Sequence, residues 1–339
     1  MEATALRLSG DFSIDALTFD TVQVPEPGPH DVLVAIRAVS LNYRDLMLVG
    51  GKYDPNVEKP RILCSDGAGE VLAVGSEVTA FQAGDRVVSG FFLDWVDGPP
   101  TAAVAASALG GALDGTLTTC RIFPDHALVP IPSGLSFEEA ATFPCAAVTA
   151  WHAMVTVGNV GKGDTVLLLG TGGVSIFGLQ IAKLRGAKAI ITSSSDDKLE
   201  RTRALGADET INYKQQPEWD KAVWALTNKQ GATHVVETGG AGTLPLSLRA
   251  AATGAQVSVI GVLTGLEQPL NIGQILFKTL RVQGIYVGSC ALLREALEAF
   301  AAAGVKPVVD KVFPFTEAPA ALRALQAGEH FGKIVITLP

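Results

Sequence analysis

The sequence predicts an α/β protein in two parts, a strand-rich unit and an open parallel sheet covered by helices on both faces. Three observations lead there. The chain has 339 residues, more than one core usually organises and enough for two. Before about residue 90, period-two alternation and Gly/Pro turns mark strands. From about residue 150, continuous apolar runs alternate with helical stretches, the βαβαβ rhythm of a parallel sheet.

In the first part, Asp31–Val39 (DVLVAIRAV) alternates apolar and polar residues, and Pro25, Pro27 and Pro29 break any helix before it. Gly67, Gly69, Gly75 and Gly84 punctuate the stretch after Ile62. Residues 91–120 mix aromatics, a Pro pair, an Ala run and Gly turns; they read as a long excursion with room for one short helix. In the second part, Thr165–Leu169 (TVLLL) is a buried parallel strand. A helix comes next, with Val174, Phe177, Gly178, Ile181 and Leu184 on one face and Gly186 as its stop. Ala189–Ile191 is the next strand and Asp196–Leu205 the next helix, its two leading aspartates at the positive end of the helix dipole. Strands at His234–Glu237 and Gln256–Ile260 complete the series.

Composition narrows the partners. Apolar residues make up 48% and charged residues 18%, as in a well-buried globular chain. The net charge of −8 and the lack of any Lys/Arg-rich run argue against nucleic acid. No stretch reaches the roughly 20 apolar residues of a membrane helix, and the N-terminus lacks the basic-then-apolar pattern of a signal peptide, so the expected location is the cytoplasm. Cys64, Cys120, Cys145 and Cys290 are scattered without a CxxC pair, which speaks against a disulfide framework and a cysteine-built structural zinc site.

The chemistry begins where TVLLL runs into Gly170-Thr171-Gly172-Gly173-Val174-Ser175. This is the G-x-G-x-x-G dinucleotide fingerprint with serine at its third position. Gly170 permits the tight turn. Gly172 lets backbone N–H groups approach a pyrophosphate, and the helix N-terminus adds partial positive charge. About 20 residues on, an acid would bind the ribose 2′-hydroxyl of NAD; here the second strand ends in Thr192-Ser193-Ser194-Ser195, with Lys198 one helical turn beyond. Hydroxyls and an ammonium suit a 2′-phosphate, so NADP(H) is favoured over NAD(H). Asp196 and Asp197 weigh mildly the other way, and Ser195 also reads as a plain helix N-cap.

Several local signatures together resemble the medium-chain dehydrogenase/reductase family over nearly the whole chain. Ala38–Leu46 (AVSLNYRDL) is similar to the family's early active-site segment. Asp66–Val87 (DGAGEVLAVGSEVTAFQAGDRV) is similar to its GHE-x-G-x-V…GDRV stretch. Glu139–Trp151 (EAATFPCAAVTAW) is similar to its hinge, and Leu205–Tyr213 (LGADETINY) to the segment after its second nucleotide-domain helix. The resemblance implies a GroES-like catalytic domain at 1–149 and 289–339, with the latter a β-rich tail. It also implies a Rossmann nucleotide-binding domain at 150–288, an active site in the cleft, and pairing into dimers or tetramers through the Rossmann sheet.

Carried over residue by residue, the zinc relatives' catalytic Cys and His fall on Asn42 and Ser65, their adjacent Glu on Asp66, and only Cys145 keeps a ligand type. One thiolate and one carboxylate do not complete a tetrahedral zinc site. The resemblance is therefore to the zinc-independent branch of quinone oxidoreductases and enoyl reductases, with no metal and with Cys145 a small buried residue. That branch holds a 2′-phosphate with a hydroxyl, a Lys and a Tyr, which fall on Ser193 or Ser194, Lys198 and Tyr213. Thr149 matches a hinge threonine near the nicotinamide. Glu237–Gly240, Val259–Gly261 and Tyr286–Gly288 match cofactor-lining segments and bring in Gly239, Gly261 and Val287. Tyr53 matches a tyrosine that enoyl reductases use near substrate. Tyr53 and Asn42 are the candidate catalytic donors, with Tyr43 as a further candidate. Asp45 reads as a structural acceptor, and His126 and His152 as structural. The expected function is hydride transfer to an activated C=C bond or a quinone. A zinc-less alcohol or carbonyl dehydrogenase and an NADPH-binding protein with little catalysis are the alternatives.

Overall fold

The computed structural model describes all 339 residues, in two compact units: Met1–Val148 with Val287–Pro339, and Thr149–Tyr286. No helix is long and apolar enough to cross a membrane.

The first unit is built on a seven-stranded sheet. Its strands run in the order Val309–Pro314, Lys333–Thr337, Asp31–Ser40, Asp66–Val74, Arg86–Ser89 and Leu128–Pro130, with Cys120–Pro124 also paired to Asp31–Ser40. A three-stranded antiparallel sheet, Leu17–Gln23, Glu2–Leu8 and Arg61–Ile62, completes its strands. The alternation in Asp31–Ser40 predicts one wet face, yet only Asp31 and Arg37 keep appreciable surface. This strand is central, paired with three others, and Val32, Val34, Ile36 and Val39 join a core with Leu6, Leu8, Phe123 and Ile334.

Two expectations need correcting here. The N-terminal region also contains a helix, Tyr43–Val49, inside the segment read as strands and turns. It is too short for a periodicity window, and its start is marked only by Asn42 at the N-cap, with the Asp45 carboxylate accepting the Asn42 N–H at 2.7 Å. The expected β-rich tail is half helical: Cys290–Ala303 and Ala318–Ala327 alternate with the two strands. Apolar positions in both helices, Leu293, Leu297, Phe300, Leu322 and Leu325 among them, are buried at helical spacing.

The second unit is a six-stranded parallel sheet. Its order is Glu209–Asn212, Lys188–Ser193, Thr165–Leu168, Ala232–Glu237, Ala251–Val259, Arg281–Gly284. The chain starts in the middle, winds one way, then returns to wind the other. That puts a topological switch point between Thr165–Leu168 and Ala232–Glu237, the place where such sheets open a crevice for ligands. The helix Gly173–Leu184 carries more than the predicted stripe. Every residue from Ser175 to Ala182 is buried, while Val174 and Leu184 at its ends are only half-buried.

Candidate active site

At the switch point the fingerprint takes the conformation its residues imply. Gly170 has φ +74°, where a Cβ is strained, and the space where Cβ atoms of Gly170 and Gly172 would stand is open. Gly172 is the N-cap of Gly173–Leu184, and Val174 lies in the first turn. Serine at the third position has a structural explanation: Ser175 is buried and its hydroxyl donates to Leu169 O at 2.6 Å, tying helix to strand. Across the switch point, Thr238 Oγ1 donates to the same carbonyl at 2.7 Å. An open glycine turn at a helix N-terminus fits a dinucleotide pyrophosphate.

The neighbouring strand ends supply the rest. Gly170 N donates to Thr192 Oγ1 at 3.2 Å, and Tyr213 N to Ser193 O at 3.0 Å. Ser193 is buried, its hydroxyl oxygen accepting from Ser195 N at 3.3 Å, while Ser194 keeps some surface. Ser195 caps the next helix, its hydroxyl accepting from Lys198 N at 3.3 Å. Tyr213 is exposed. The Asp196 carboxylate is held by Asn212 Nδ2 at 2.7 Å and Gln215 Nε2 at 2.8 Å, which turns it toward the adjoining strand end.

Beyond Ala232–Glu237, the buried Glu237 organises the loop that carries Gly239. Its Oε1 accepts from Gly239 N (2.7 Å), Gly240 N (3.0 Å) and Thr243 Oγ1 (2.7 Å), and Ser247 donates to Oε2. Gly261 passes so close to Thr238 that a Cβ would fall 1.7 Å from its carbonyl oxygen, so only glycine fits. Thr149 is buried in the same unit. Val287 belongs to the first unit, with a positive φ of 58°.

In the first unit Asn42, Ser65, Asp66 and Cys145 come together in one buried cluster. Ser65 Oγ donates to Asp66 Oδ1 at 2.6 Å, and Cys145 N donates to Asp66 Oδ2 at 3.2 Å. The sequence reading missed the centre of this cluster, Lys333. It is 4% exposed, donates to Asn42 Oδ1 at 2.6 Å, and also donates to Leu41 O. A charged residue opening the apolar strand KIVIT was the available signal. Burial raises the Asp66 carboxyl, against the pull of Lys333, Asn42 and Ser65. The buried Asn42 amide acts on Asp66 as a side-chain hydrogen-bond donor, at a looser geometry than the bonds above. Cys145 is the one cysteine that keeps some surface, which corrects the expectation of full burial; its thiol is still pushed up, by desolvation first and then by Asp66.

Tyr53 is held separately. Its ring lies 4.8 Å from the Arg44 guanidinium carbon, which also sits 4.6 Å from the Phe91 ring. Arg44 donates to Leu109 O at 2.6 Å and Gly110 O at 3.2 Å, so this buried arginine clamps residues 91–120 onto the helix that begins at Tyr43. The excursion is a packed segment with Phe91, Phe92, Trp95 and Leu109 buried and one short 3₁₀ helix, Val104–Ser107. Tyr43 is exposed.

The donors at the zinc-ligand positions do not fit zinc. The Asn42 carbonyl is taken by an ammonium and the Ser65 hydroxyl is given to Asp66, which leaves Cys145 as the one ligand type kept.

Asp45 offers a stability test in this cluster. Burial first, only partly offset by Arg44 and the Asn42 N–H, raises it from 3.8 to about 6. A carboxyl whose folded pKa lies above its unfolded value costs stability as pH rises from about 4 through 6, and the cost is fully present at pH 7. Asp45→Asn keeps an acceptor for the Asn42 N–H, so it should stabilise the protein at pH 7 by on the order of 3 kcal/mol, with the gain vanishing below pH 4. Denaturant unfolding of both proteins at pH 4 and pH 7 checks this; destabilisation at pH 7 would contradict it.

Comparison with known proteins agrees with the two-unit fold. Residues 28–133 match the alcohol dehydrogenase GroES-like domain and residues 173–303 the zinc-binding dehydrogenase domain. The chain is 44% identical over 331 residues to a zinc-type alcohol dehydrogenase-like protein of Schizosaccharomyces pombe, covering 96% of each. It is 32% identical over 289 residues to a quinone oxidoreductase of Pseudomonas aeruginosa, covering 85% of this chain and 82% of that one. A crystal structure of a putative alcohol dehydrogenase from Sinorhizobium meliloti superposes with a TM-score of 0.91 at 42% identity, covering 99% and 98% of the two chains. With a GroES-like unit, a parallel nucleotide-binding sheet and these relatives, the chain belongs to the medium-chain dehydrogenase/reductase family and is an oxidoreductase of the alcohol dehydrogenase and quinone oxidoreductase type.

Proposed function

We propose that this chain is an NADP(H)-dependent oxidoreductase that works without catalytic zinc and reduces an activated C=C bond or a quinone. The observation that carries the reading is the donor set at the positions where zinc relatives keep ligands, with the Asn42 carbonyl taken by Lys333 and the Ser65 hydroxyl given to Asp66. NADPH, when bound, supplies the hydride. Gly170, Gly172, Gly173 and Val174 hold its pyrophosphate, Gly239 and Gly261 border it, and Thr149 lies toward its nicotinamide end; Val287 joins the set from the family resemblance alone. Ser194, Lys198 and Tyr213, with Ser193 behind them, take its 2′-phosphate. Hydride arriving at the β-carbon of an enone, or at a quinone, leaves a negative oxygen. The Asn42 side chain and the Tyr53 phenol are the proposed donors to that oxygen, the phenol with a hydrogen bond or a proton; one proton completes the product.

Oxidation of NADPH and NADH against a panel of quinones, enones and aldehydes tests the reading, on protein dialysed against chelator and checked for zinc by elemental analysis. Turnover of quinones or enones with NADPH, unaffected by the chelator, is the expected result. Activity confined to aldehydes or alcohols would favour a zinc-less carbonyl dehydrogenase; the name of the S. pombe relative points to alcohol chemistry, of the zinc type. Binding of NADPH without turnover of anything would favour a non-catalytic role, and a required equivalent of zinc would overturn the metal-free reading.

The sheet of the second unit ends at Arg281–Gly284, exposed along its whole length, and near it Ile272, Leu276 and Phe277 are 71%, 67% and 84% exposed. An open edge beside such side chains suits pairing with a second copy, and we infer a homodimer, with a homotetramer as its doubling. Light scattering should give at least twice the 35.3 kDa chain mass, and a monomer would refute the pairing. Four unpaired cysteines support a reducing compartment, the cytoplasm, which cell fractionation would check.

A further inference from the structure

We propose that the first unit carries a binding site of its own, an arginine-lined cleft that takes a small organic phosphate by its phosphate group.

The cleft has a volume of about 700 Å³, within the range of small-molecule sites. Every residue that lines it belongs to the first unit, whereas the glycine cradle lies wholly in the second. Three strands distant in sequence bring an arginine each to its wall: Arg7 from Glu2–Leu8, Arg61 from Arg61–Ile62 and Arg121 from Cys120–Pro124. Against these cations the wall sets one carboxylate, Asp114, which leaves two positive charges unmatched. Asp114 Oδ1 is itself shared, accepting from Ile62 N at 2.9 Å and from Arg61 Nη1 at 3.3 Å.

The neighbouring carboxylates do little to make up the difference. Asp20 Oδ2 stands 3.6 Å from Arg7 Nη1, beyond hydrogen-bond distance. Glu58 Oε2 stands 3.8 Å from Arg61 Nη2, on a side chain 90% exposed to water. Arg121 Nη1 donates to a neutral acceptor, Gly115 O, at 2.9 Å, and its guanidinium carbon stands 5.3 Å from the Phe123 ring. The Nε–H groups of all three arginines are buried without an acceptor. Burial, only partly offset by Asp114 and reinforced by Arg61, pushes Arg121 down to about 10, which leaves it charged at neutral pH. Cations drawn out of water without matching anions cost stability, and an anion in the cleft relieves that cost.

The charge and shape of the wall select the ligand. An excess of two positive charges matches a phosphate monoester, which is close to a dianion at neutral pH, better than a single carboxylate. Guanidinium groups present paired N–H donors that fit phosphate oxygens. Val22 and Ile122, half-buried in the same wall, offer apolar surface to the carbon body that carries the phosphate.

The experiment is calorimetric titration of the full chain with phenyl phosphate, inorganic phosphate and benzoate, each with and without NADPH. Phenyl phosphate is expected to bind one equivalent, more tightly than the other two probes, with an affinity that NADPH leaves unchanged. Arg7→Met should weaken it by roughly 10-fold or more, the loss of one charge-assisted contact. Because the Arg7 guanidinium makes no hydrogen bond inside the protein, the melting temperature without ligand should not fall. Asp114→Asn keeps an acceptor for Ile62 N and removes the opposing charge, so it should tighten phenyl phosphate by about threefold or more. No binding at millimolar phenyl phosphate, an unchanged affinity in Arg7→Met, or displacement by NADPH would overturn the site. Inorganic phosphate or benzoate binding as tightly as phenyl phosphate would overturn the ligand class. Should Arg7→Met not fold, Asp114→Asn decides alone, and an unchanged or weakened affinity there overturns the proposal.

Discussion

Asn42→Ala is expected to slow hydride transfer by roughly 10- to 1000-fold, the range for losing one donor to a developing oxyanion, while NADPH affinity changes by less than about twofold. Asn42 falls on a ligand position of the zinc relatives, and its buried side chain carries the donor proposed for the substrate oxygen. Charge develops on the substrate oxygen only as hydride arrives, so this contact strengthens in the transition state and its loss appears in kcat. Alanine also strips an acceptor from the buried Lys333 ammonium. A melting-temperature drop equivalent to about 1–3 kcal/mol should therefore accompany the rate loss. Tyr53→Phe should fall in the same rate range with a smaller stability cost, because the ring contact with Arg44 survives the change. Stopped-flow NADPH oxidation on a substrate from the screen decides the matter. Wild-type rates in both variants would move the oxyanion donor elsewhere, to Tyr43 or to ordered water.

Lys198→Ala is expected to weaken NADPH by roughly 10- to 150-fold, or about 1.5–3 kcal/mol, and to leave NADH nearly untouched. The ammonium sits in the first turn of a helix whose cap hydroxyl, Ser195, receives the Lys198 N–H, so backbone and cap survive the substitution. Of the two aspartates that weigh against a phosphate there, Asp196 is engaged by Asn212 and Gln215, which lessens its repulsion. Fluorescence titration of both nucleotides against both proteins is the measurement. A wild type that prefers NADH, or equal weakening of both nucleotides, would remove the 2′-phosphate assignment from Ser194, Lys198 and Tyr213.

The nucleotide half was legible because its determinants are contiguous. Thr165–Leu169, the glycine turn and the adjoining helix are one uninterrupted stretch, and strand, turn and helix N-terminus build a phosphate cradle from local backbone alone. The residues that fall on the zinc relatives' Cys, His and adjacent Glu (Asn42, Ser65 and Asp66) were proposed the same way, residue against motif. Two other elements were not. The Tyr43–Val49 helix is seven residues long, under two turns, too few to display a period. In Asp31–Ser40, alternation signalled a strand but not its burial, because strands from distant parts of the chain cover it.

What the sequence by itself determined is the parallel sheet, the glycine cradle and the residue types at the former ligand positions, all set by short-range pattern and side-chain chemistry. What only the tertiary structure decided is how those residues are used. Lys333 reaches Asn42 across 291 positions of chain, Arg44 binds the excursion at Leu109 and Gly110, and Glu237 gathers its glycine loop. A buried charge must find its partners wherever the fold supplies them, and no local pattern records a partner that arrives from the other end of the chain.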